Sequence, residues 1–485
     1  MAWEAVIGLE CHIQLRTRTK MFCDCPVRFG AEPNTQVCPV CLGLPGALPR
    51  VNDAAIGHAL RLGVALGCSI RAESVFARKN YFYPDMPKNY QVTQYDRPLC
   101  EGGVLPAQVD GEPCTFQLTR IHCEEDAGKS FHPERHGDRS LSRVDFNRAG
   151  VPLLEMVTEP VLRTPAECAA FLTALRRLVR ALGVSDGDME KGQLRCDANV
   201  SLRPAGATAL GTKTEIKNLN SIKGVERGVT AEIARQARAL DAGEAIVQAT
   251  LLYDADHDRL AIMRTKEHAH DYRYLPDPDL PVLRVSPARI EAARASQPEL
   301  PWDLEARLRS QHGLPAYDAA VLADPPELAA YFESCAAAGG AKLASNWIMT
   351  EVLRVLRERP WTLADWVERV PAERFSGFLA RVASRELPGP VAKQVFAWMA
   401  DEPGDVPAIL ERHGVRVQGS ADELAPIVRQ VLDENPGPVA QFLAGEGKTL
   451  GFLVGQVMKK SGGQAVPQVV QELLRGELGR RSGGG

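Results

Sequence analysis

Four cysteines, Cys23, Cys25, Cys38 and Cys41, fall within nineteen residues of the run FCDCPVRFGAEPNTQVCPVCLGLPGALP. The CPVC spacing lets two thiolates reach one tetrahedral Zn²⁺ from a tight turn, and CDC is a less usual first half of such a site. An ion of this kind organises Gly/Pro-rich loops that cannot bury a core of their own. Four thiolates leave no open coordination position, so the expected role is structural. The competing account is four reduced cysteines packed as small hydrophobes.

A second set of chemical groups emerges from alternation. In WEAVIGLECHIQL, Ala5, Ile7, Leu9, Cys11, Ile13 and Leu15 take one face of a strand, and Glu10, His12 and Gln14 take the other. LRCDANVSL sorts the same way, with Arg195, Asp197, Asn199 and Ser201 opposite Leu194, Cys196, Ala198, Val200 and Leu202. Lys213, Glu215 and Lys217 share a face of TKTEIKN. In RIHCEEDAGK, Arg120, His122 and Glu124 share a side, with Glu125 opposite unless a bulge re-aims it. Glu155 stands in VPLLEMV, where a carboxylate is costly unless paired or metal-bound. Each polar face taken singly reads as solvated surface. Together they supply carboxylates and imidazoles for Mg²⁺ beside lysines and arginines for phosphate oxygens. Phosphoryl transfer needs that combination, because its catalysis is mostly positioning and charge neutralisation.

The elements that must carry these residues describe an α+β fold. Strand-like alternation recurs to about residue 290, as an antiparallel or mixed sheet requires. Thr164-Pro165 opens a helix that ends at Gly183, and a second helix runs from Ser221 to Gly243. From Pro287 onward the pattern turns helical, as in ELAAYFESCAAAG and ASNWIMTEVLRVLRER. DEPGDVP (401–407) breaks this region before a last helical unit and the frayed tail RRSGGG. The partition expected is 1–292, 293–405 and 406–485, within the two to four domains that 485 residues suggest.

Composition is ordinary globular, with 45% hydrophobic and 24% charged residues. A net charge of −4 means that any nucleic-acid contact comes from a local basic patch. From Lys448 to Gly485, six Lys/Arg against two Glu make one candidate, with a balance of +4. No run approaches a membrane span, and MAWEAVIGLE lacks the basic start of a signal peptide. A cytoplasmic protein with reduced thiols is expected. Nucleotide and nucleophile signatures are missing: GEGKTLG (445–451) imitates a P-loop but has Phe442 at the first-glycine position, and no G-x-S-x-G elbow occurs. GEGKTLG reads as a turn between helices. No serine/glycine-rich amidase core is present either, so ammonia, if used, must be delivered.

The motifs VIGLECHIQLRTRTKMFCDC, FGAEPNTQVCPVCLGLPGALP, FARKNYFYPDMPKNYQVTQYDRPLC, IHCEEDAGKS, DFNRAGVPLLEMVTEP, LRCDANVSLRP, GTKTEIKNLNS and HAHDYRYLPDPDLP, in this order, resemble the GatB family, the B subunits of tRNA-dependent amidotransferases. The likeness spans about residues 3–282, and beyond it ASNWIMTE is the best local match. It implies a glutamine-synthetase-like cradle domain, then a helical domain and a YqeY-like tail domain that binds tRNA. The activity implied is a carbon-nitrogen ligase with glutamine as amido donor. The side-chain carboxylate of Glu-tRNA(Gln) or Asp-tRNA(Asn) is activated with ATP, and ammonia then displaces phosphate. The glutaminase, or A subunit, would hydrolyse glutamine and a small C subunit would join them. Carried onto this sequence, Glu10, His12, Glu124, Glu125 and Glu155 become the catalytic and Mg²⁺ candidates, with Cys23, Cys25, Cys38 and Cys41 as zinc ligands. Arg195, Asp197, Asn199, Lys213, Glu215 and Lys217 become the nucleotide-binding set. Two positions depart from the family pattern: Cys11 replaces an aliphatic residue, and Lys191 in MEKGQLRC stands where glutamate is common.

Rival readings are a stand-alone carboxylate-amine ligase using free ammonia and a non-catalytic zinc-stapled RNA-binding module. The acidic groups argue against the second, because they repel phosphates unless Mg²⁺ intervenes. The related GatE proteins would carry an inserted domain, and the chain has none.

Overall fold

The alternating N-terminal residues form a twelve-residue strand, Trp3–Gln14, on which the first part of the molecule is built. The computed structural model describes residues 2–131, 142–255, 257–265, 272–415 and 421–482. The HAHD of HAHDYRYLPDPDLP and the final GGG of the tail lie outside the described residues. The chain divides into two units, Met1–Trp302 and Asp303–Gly485.

In the first unit Trp3–Gln14 lies mid-sheet among ten strands. The order is Arg259–Thr265, Ala249–Asp254, Thr214–Leu219, Leu194–Pro204, Trp3–Gln14, Pro152–Thr158, Glu112–Glu125, Cys100–Glu101 and Ser69–Ile70, with Val104–Val109 also paired to Glu112–Glu125. Only Thr214–Leu219 and Ala249–Asp254 run parallel among these pairs, so the sheet is mixed.

One face of the sheet is apolar. Cys11, Ile13, Ile121, Cys123, Leu154, Met156, Leu194 and Cys196 join a single core with Phe171, Leu172, Leu175, Val225 and Val229 of the covering helices. Cys11 is wholly buried there, away from the polar face. The helix Pro165–Ala181 starts at a capping box, in which the Thr164 hydroxyl accepts from the Glu167 amide and Glu167 reaches back to the Thr164 amide. Ile222–Asp241 is capped by Ser221, whose hydroxyl accepts from the Gly224 amide at 2.9 Å. That second helix also buries Glu232 and Gln236 completely. Thr214 Oγ1 donates to Glu232 at 2.6 Å, Arg235 pairs with the carboxylate, and Gln236 Nε2 donates to Glu232 and Thr214. A buried charge is tolerable only when satisfied in this way.

Among the described residues the second unit contains helices only, so the α+β part is followed by helical structure. One core runs from Leu304 to Ile409 around Trp366, Phe375, Phe378 and Phe396, and another from Leu424 to Leu478. ASNWIMTE is interrupted by a π-helical turn, Ile348–Val352, between Ala341–Trp347 and Leu353–Glu358. GEGKTLG joins Pro436–Leu443 to Thr449–Lys460 as a turn. Packing changes the charge of the tail. Arg481 pairs with Asp433, Lys460 with Glu434, and both Arg429 and Arg480 with Glu477. Residues 421–482 hold seven acidic and seven basic side chains, so the local excess after Lys448 is balanced by the acidic residues of 421–447.

Candidate active site

Antiparallel register turns separate polar faces into one row. Directly paired residues project to the same side of a sheet, and His12 pairs with Arg195 on one neighbour and Glu155 on the other. Glu155 in turn pairs with His122. Arg195, His12, Glu155 and His122 thus line up across four strands. One step along, Asp197 pairs with Glu10 and Arg120 with Val157; a step the other way, Glu124 faces Leu153.

The side chains converge. His12 Nε2 lies 3.5 Å from Glu155, 3.6 Å from Glu124 and 3.8 Å from Glu10. His122 Nε2 is 3.6 Å from the same Glu155 oxygen. Glu124 is 2% exposed and Glu155 7%, so neither carboxylate can be neutralised by bulk water. Two overlapping triads, Glu10–His12–Asp197 and His12–Glu124–Glu155, each keep one potential ligand atom per residue within 4.8 Å of the others. The donors are mainly carboxylate, which suits a hard divalent cation.

Electrostatics divide the cluster. Burial works against a charged His12, but the hydrogen bond and charge of Glu155 together with Glu124 outweigh it and hold the imidazole up at about 9. His122 is driven down to about 4 by burial. Burial and the Glu155 charge raise Glu124 to about 7. For Glu155 burial is overcome by His122, His12 and Lys79, which hold the carboxyl below its ordinary range. One carboxylate and one imidazolium therefore persist near neutrality beside a carboxyl that shares its proton, an arrangement that a cation can replace.

The expected residues do not all join this cluster. Glu125 points away, where it accepts from Lys88 and from the Val92 amide at 2.9 Å. Lys217 bridges Asp197 and Glu215, and Thr250 donates to Glu215 at 2.9 Å. Asn199 pairs with Glu215 across the sheet and with Gly8 on the other side. Lys213 is exposed, just before the Thr214–Leu219 strand. Arg195 leans on Asp126, donating at 2.9 Å to a carboxylate that Arg148 also approaches at 3.6 Å.

Other functional groups are absent from the sequence reading. Lys79, on the four-residue strand Ala77–Asn80, faces Glu124 and Glu155, whose charges raise its ammonium against the effect of burial. It sits over the Tyr272 ring, which adjoins Tyr81 and Tyr274, and Tyr95 stacks on Tyr274 at 4.0 Å. FARKNYFYP and YRYLP carried the signal, but a strand of four residues is too short for alternation to choose a face. Beside the row opens a cleft of about 760 Å³ lined by Arg28, Lys129, Arg148, Lys191 and Arg195, with Phe29 and Phe131 at its wall. Its size suits a nucleotide-scale ligand. Lys191 stands in this wall, held at 3.1 Å by Asp188.

The four cysteines meet in the loop before the Asp53–Ala65 helix, with all four Sγ atoms within 4.8 Å of one another. Cys38 and Cys41 Sγ are 3.9 Å apart. Bonds of about 2.3 Å to a tetrahedral zinc give S–S edges of roughly 3.8 Å, so the donor set fits. The hydrogen bond from Cys23 lowers Cys41 to about 4, while burial pushes Cys25 up to about 12.

Comparison with known proteins matches the same two regions. Residues 5–291 match the GatB/GatE catalytic domain and residues 330–478 a GatB domain. The chain is similar to proteins described as the B subunit of aspartyl/glutamyl-tRNA(Asn/Gln) amidotransferase. Over 99% of this chain and all of each relative, it is 47% identical to those of Chlorobium chlorochromatii and Bordetella avium and 46% to that of Coxiella burnetii. The likeness covers both units and the strands that carry the polar row, and on this evidence the chain belongs to the GatB family.

Proposed function

We propose that this chain is the B subunit of an aspartyl/glutamyl-tRNA(Asn/Gln) amidotransferase, a glutamine-dependent, ATP-using carbon-nitrogen ligase. The carrying observation is the polar row Arg195–His12–Glu155–His122, with Glu124 and Glu10 beside it, next to a basic cleft. Glu10, His12, Glu124 and Glu155 would hold Mg²⁺, which when bound neutralises phosphate charge. Glu125, engaged by Lys88, stands outside that set. Arg195, Asp197, Asn199, Glu215 and Lys217 form the nucleotide side, with Lys213 as its outermost cation.

The chemistry asked of these residues is charge control. As a side-chain oxygen of the misacylated Glu or Asp attacks the γ-phosphorus and the bond to ADP breaks, Arg195 and Lys217 offset the phosphate oxygens. Ammonia then attacks the acyl carbon and inorganic phosphate leaves. In this reading residues 1–292 form the catalytic cradle, 293–405 the helical domain and 406–485 the tail. The tail meets tRNA through Lys448, Lys459 and Arg475, which enter none of the tail ion pairs described above. The four cysteines hold a structural zinc.

The glutaminase partner, the A subunit, supplies ammonia, and a small C subunit completes the complex. Alone, the purified chain should release no ammonia from glutamine; with both partners it should convert Glu-tRNA(Gln), Asp-tRNA(Asn) or both to the amidated form. Glutaminase activity in the homogeneous chain, or a complete complex inert toward both tRNAs, would refute the reading.

Cation binding should also depend on pH. The proton held by His12 up to about 9 and that held by Glu124 up to about 7 must leave before both groups can ligate. Affinity for Mg²⁺ or Mn²⁺ should therefore rise with pH, more steeply below about pH 7 than between about pH 7 and pH 9, and then level. Titration calorimetry in two buffers of different ionisation enthalpy measures the protons released. A flat affinity across that range would place the cation elsewhere.

A further inference from the structure

Lys20 has no exposed surface at all. Among the described residues no carboxylate lies within ion-pair distance of it. Its ammonium has two partners, Cys41 Sγ at 3.6 Å and the Phe146 carbonyl at 3.2 Å. A buried ammonium without an anion is too costly to be retained in a fold. Among the described residues Cys41 is the one sulfur within reach, and a sulfur bound to zinc is a thiolate.

Charge counting points the same way from the other side. Four thiolates around a divalent zinc leave a net double negative charge. One ammonium donating to one sulfur removes part of that excess and weakens repulsion among the ligands. The site is tied inward as well. Lys20 N donates to Cys25 O at 3.0 Å and Asn52 Nδ2 to Lys20 O at 3.1 Å, so the backbone of Lys20 is fixed between the first cysteine pair and the following helix.

The other partner leads to the cleft. Phe146 opens the segment that carries Asn147, Arg148 and Val151, all at the cleft wall. Gly150, at φ +85°, closes this segment over the cysteines: a Cβ there would lie 3.4 Å from Lys20 Cδ, 3.5 Å from Cys41 Cβ and 3.8 Å from Glu125 Oε2. Its amide donates to Asp126 O at 2.9 Å, beside the carboxylate that holds Arg195.

We propose that Lys20 is the outer cation of the four-cysteine centre, a positioning residue that hydrogen-bonds the Cys41 thiolate and joins the metal loop to the cleft wall through the Phe146 carbonyl. This rests on the zinc reading of the cysteines. Loss of an outer hydrogen-bond partner lowers metal affinity about 10- to 100-fold. The full-length wild-type, Lys20→Met and Lys20→Arg chains are analysed for zinc content and then titrated with a chelator of known zinc affinity. Wild type should hold one zinc per chain, Lys20→Met should release it at about 10- to 100-fold lower chelator excess, and Lys20→Arg should lie nearer wild type. Zinc held equally tightly by wild type and Lys20→Met overturns the role of Lys20 alone. A folded wild-type chain without zinc overturns the metal reading, and this proposal with it. Should Lys20→Met fail to fold, the zinc-loaded wild-type crystal structure decides: Nζ against Cys41 Sγ supports the proposal, and Nζ turned elsewhere overturns it.

Discussion

A Glu155→Gln chain, assembled with its glutaminase and small partner chains, should cleave ATP in response to misacylated tRNA at least about a thousandfold more slowly than wild type. Glutamine keeps the shape and removes the charge on which His12 and His122 converge at 3.5 and 3.6 Å. No other carboxylate takes its place in the register, because its strand neighbours Leu154 and Met156 face the core. Glutamine hydrolysis in the partner should be unchanged, and exogenous ammonium should not rescue amidation, since the missing step precedes ammonia attack. Glu10→Gln should fall in the same direction by about a hundredfold, because Glu10 stands at the more open end of the cluster. Glu125→Gln is the contrast: it disturbs Lys88 and the Val92 amide outside the metal triads. Near-normal ATP cleavage by folded Glu155→Gln would return the activation site to Asp197 and its neighbours.

Cys38→Ser should destabilise the first unit by several kcal/mol, far more than Cys68→Ser, at about 1 kcal/mol. The cysteine loop contains no helix between Gln14 and Asp53, and its order depends on the four sulfurs meeting. Binding free energy at a structural metal site is folding free energy. Removing one ligand therefore removes most of it. Cys68 instead donates to the Gly102 carbonyl at 3.0 Å, a bond that serine can keep. Thermal unfolding with and without chelator measures both effects. Equal stability losses, or a wild-type chain that melts unchanged after complete zinc removal, would contradict the metal role.

What the sequence made legible is local, and what it hid is separated along the chain. Alternation alone put Glu10 with His12 and Arg195 with Asp197. It could not say that the strand Pro152–Thr158 lies between Trp3–Gln14 and Glu112–Glu125, which brings His12, Glu155 and His122 into one row. Alternation leaves the side of Glu125 open, because a bulge reverses it. The register shift in that pair falls at Val157/Thr158 instead, so Glu124 faces the row. Glu232 and Gln236 keep the buried-face spacing of Val225 and Val229, but their polarity reads as solvated surface, and only the Thr214 partner in another strand shows why they are buried. The partners of the basic tail are hidden for the same reason. Asp433 and Glu434 are remote in sequence from Arg481 and Lys460 but adjacent in the packed unit.

The most direct measurement follows oxygen. The assembled complex is given misacylated tRNA whose aminoacyl side-chain carboxylate is labelled with ¹⁸O, together with ATP, Mg²⁺ and ammonium, and the inorganic phosphate released in one turnover is analysed by mass spectrometry. If the row around Glu155 activates that carboxylate, one labelled oxygen appears in phosphate for each amide formed, and the Glu155→Gln complex yields neither. Amide formed with unlabelled phosphate, or labelled phosphate at the wild-type rate from the Glu155→Gln complex, would contradict the assignment of activation chemistry to this site.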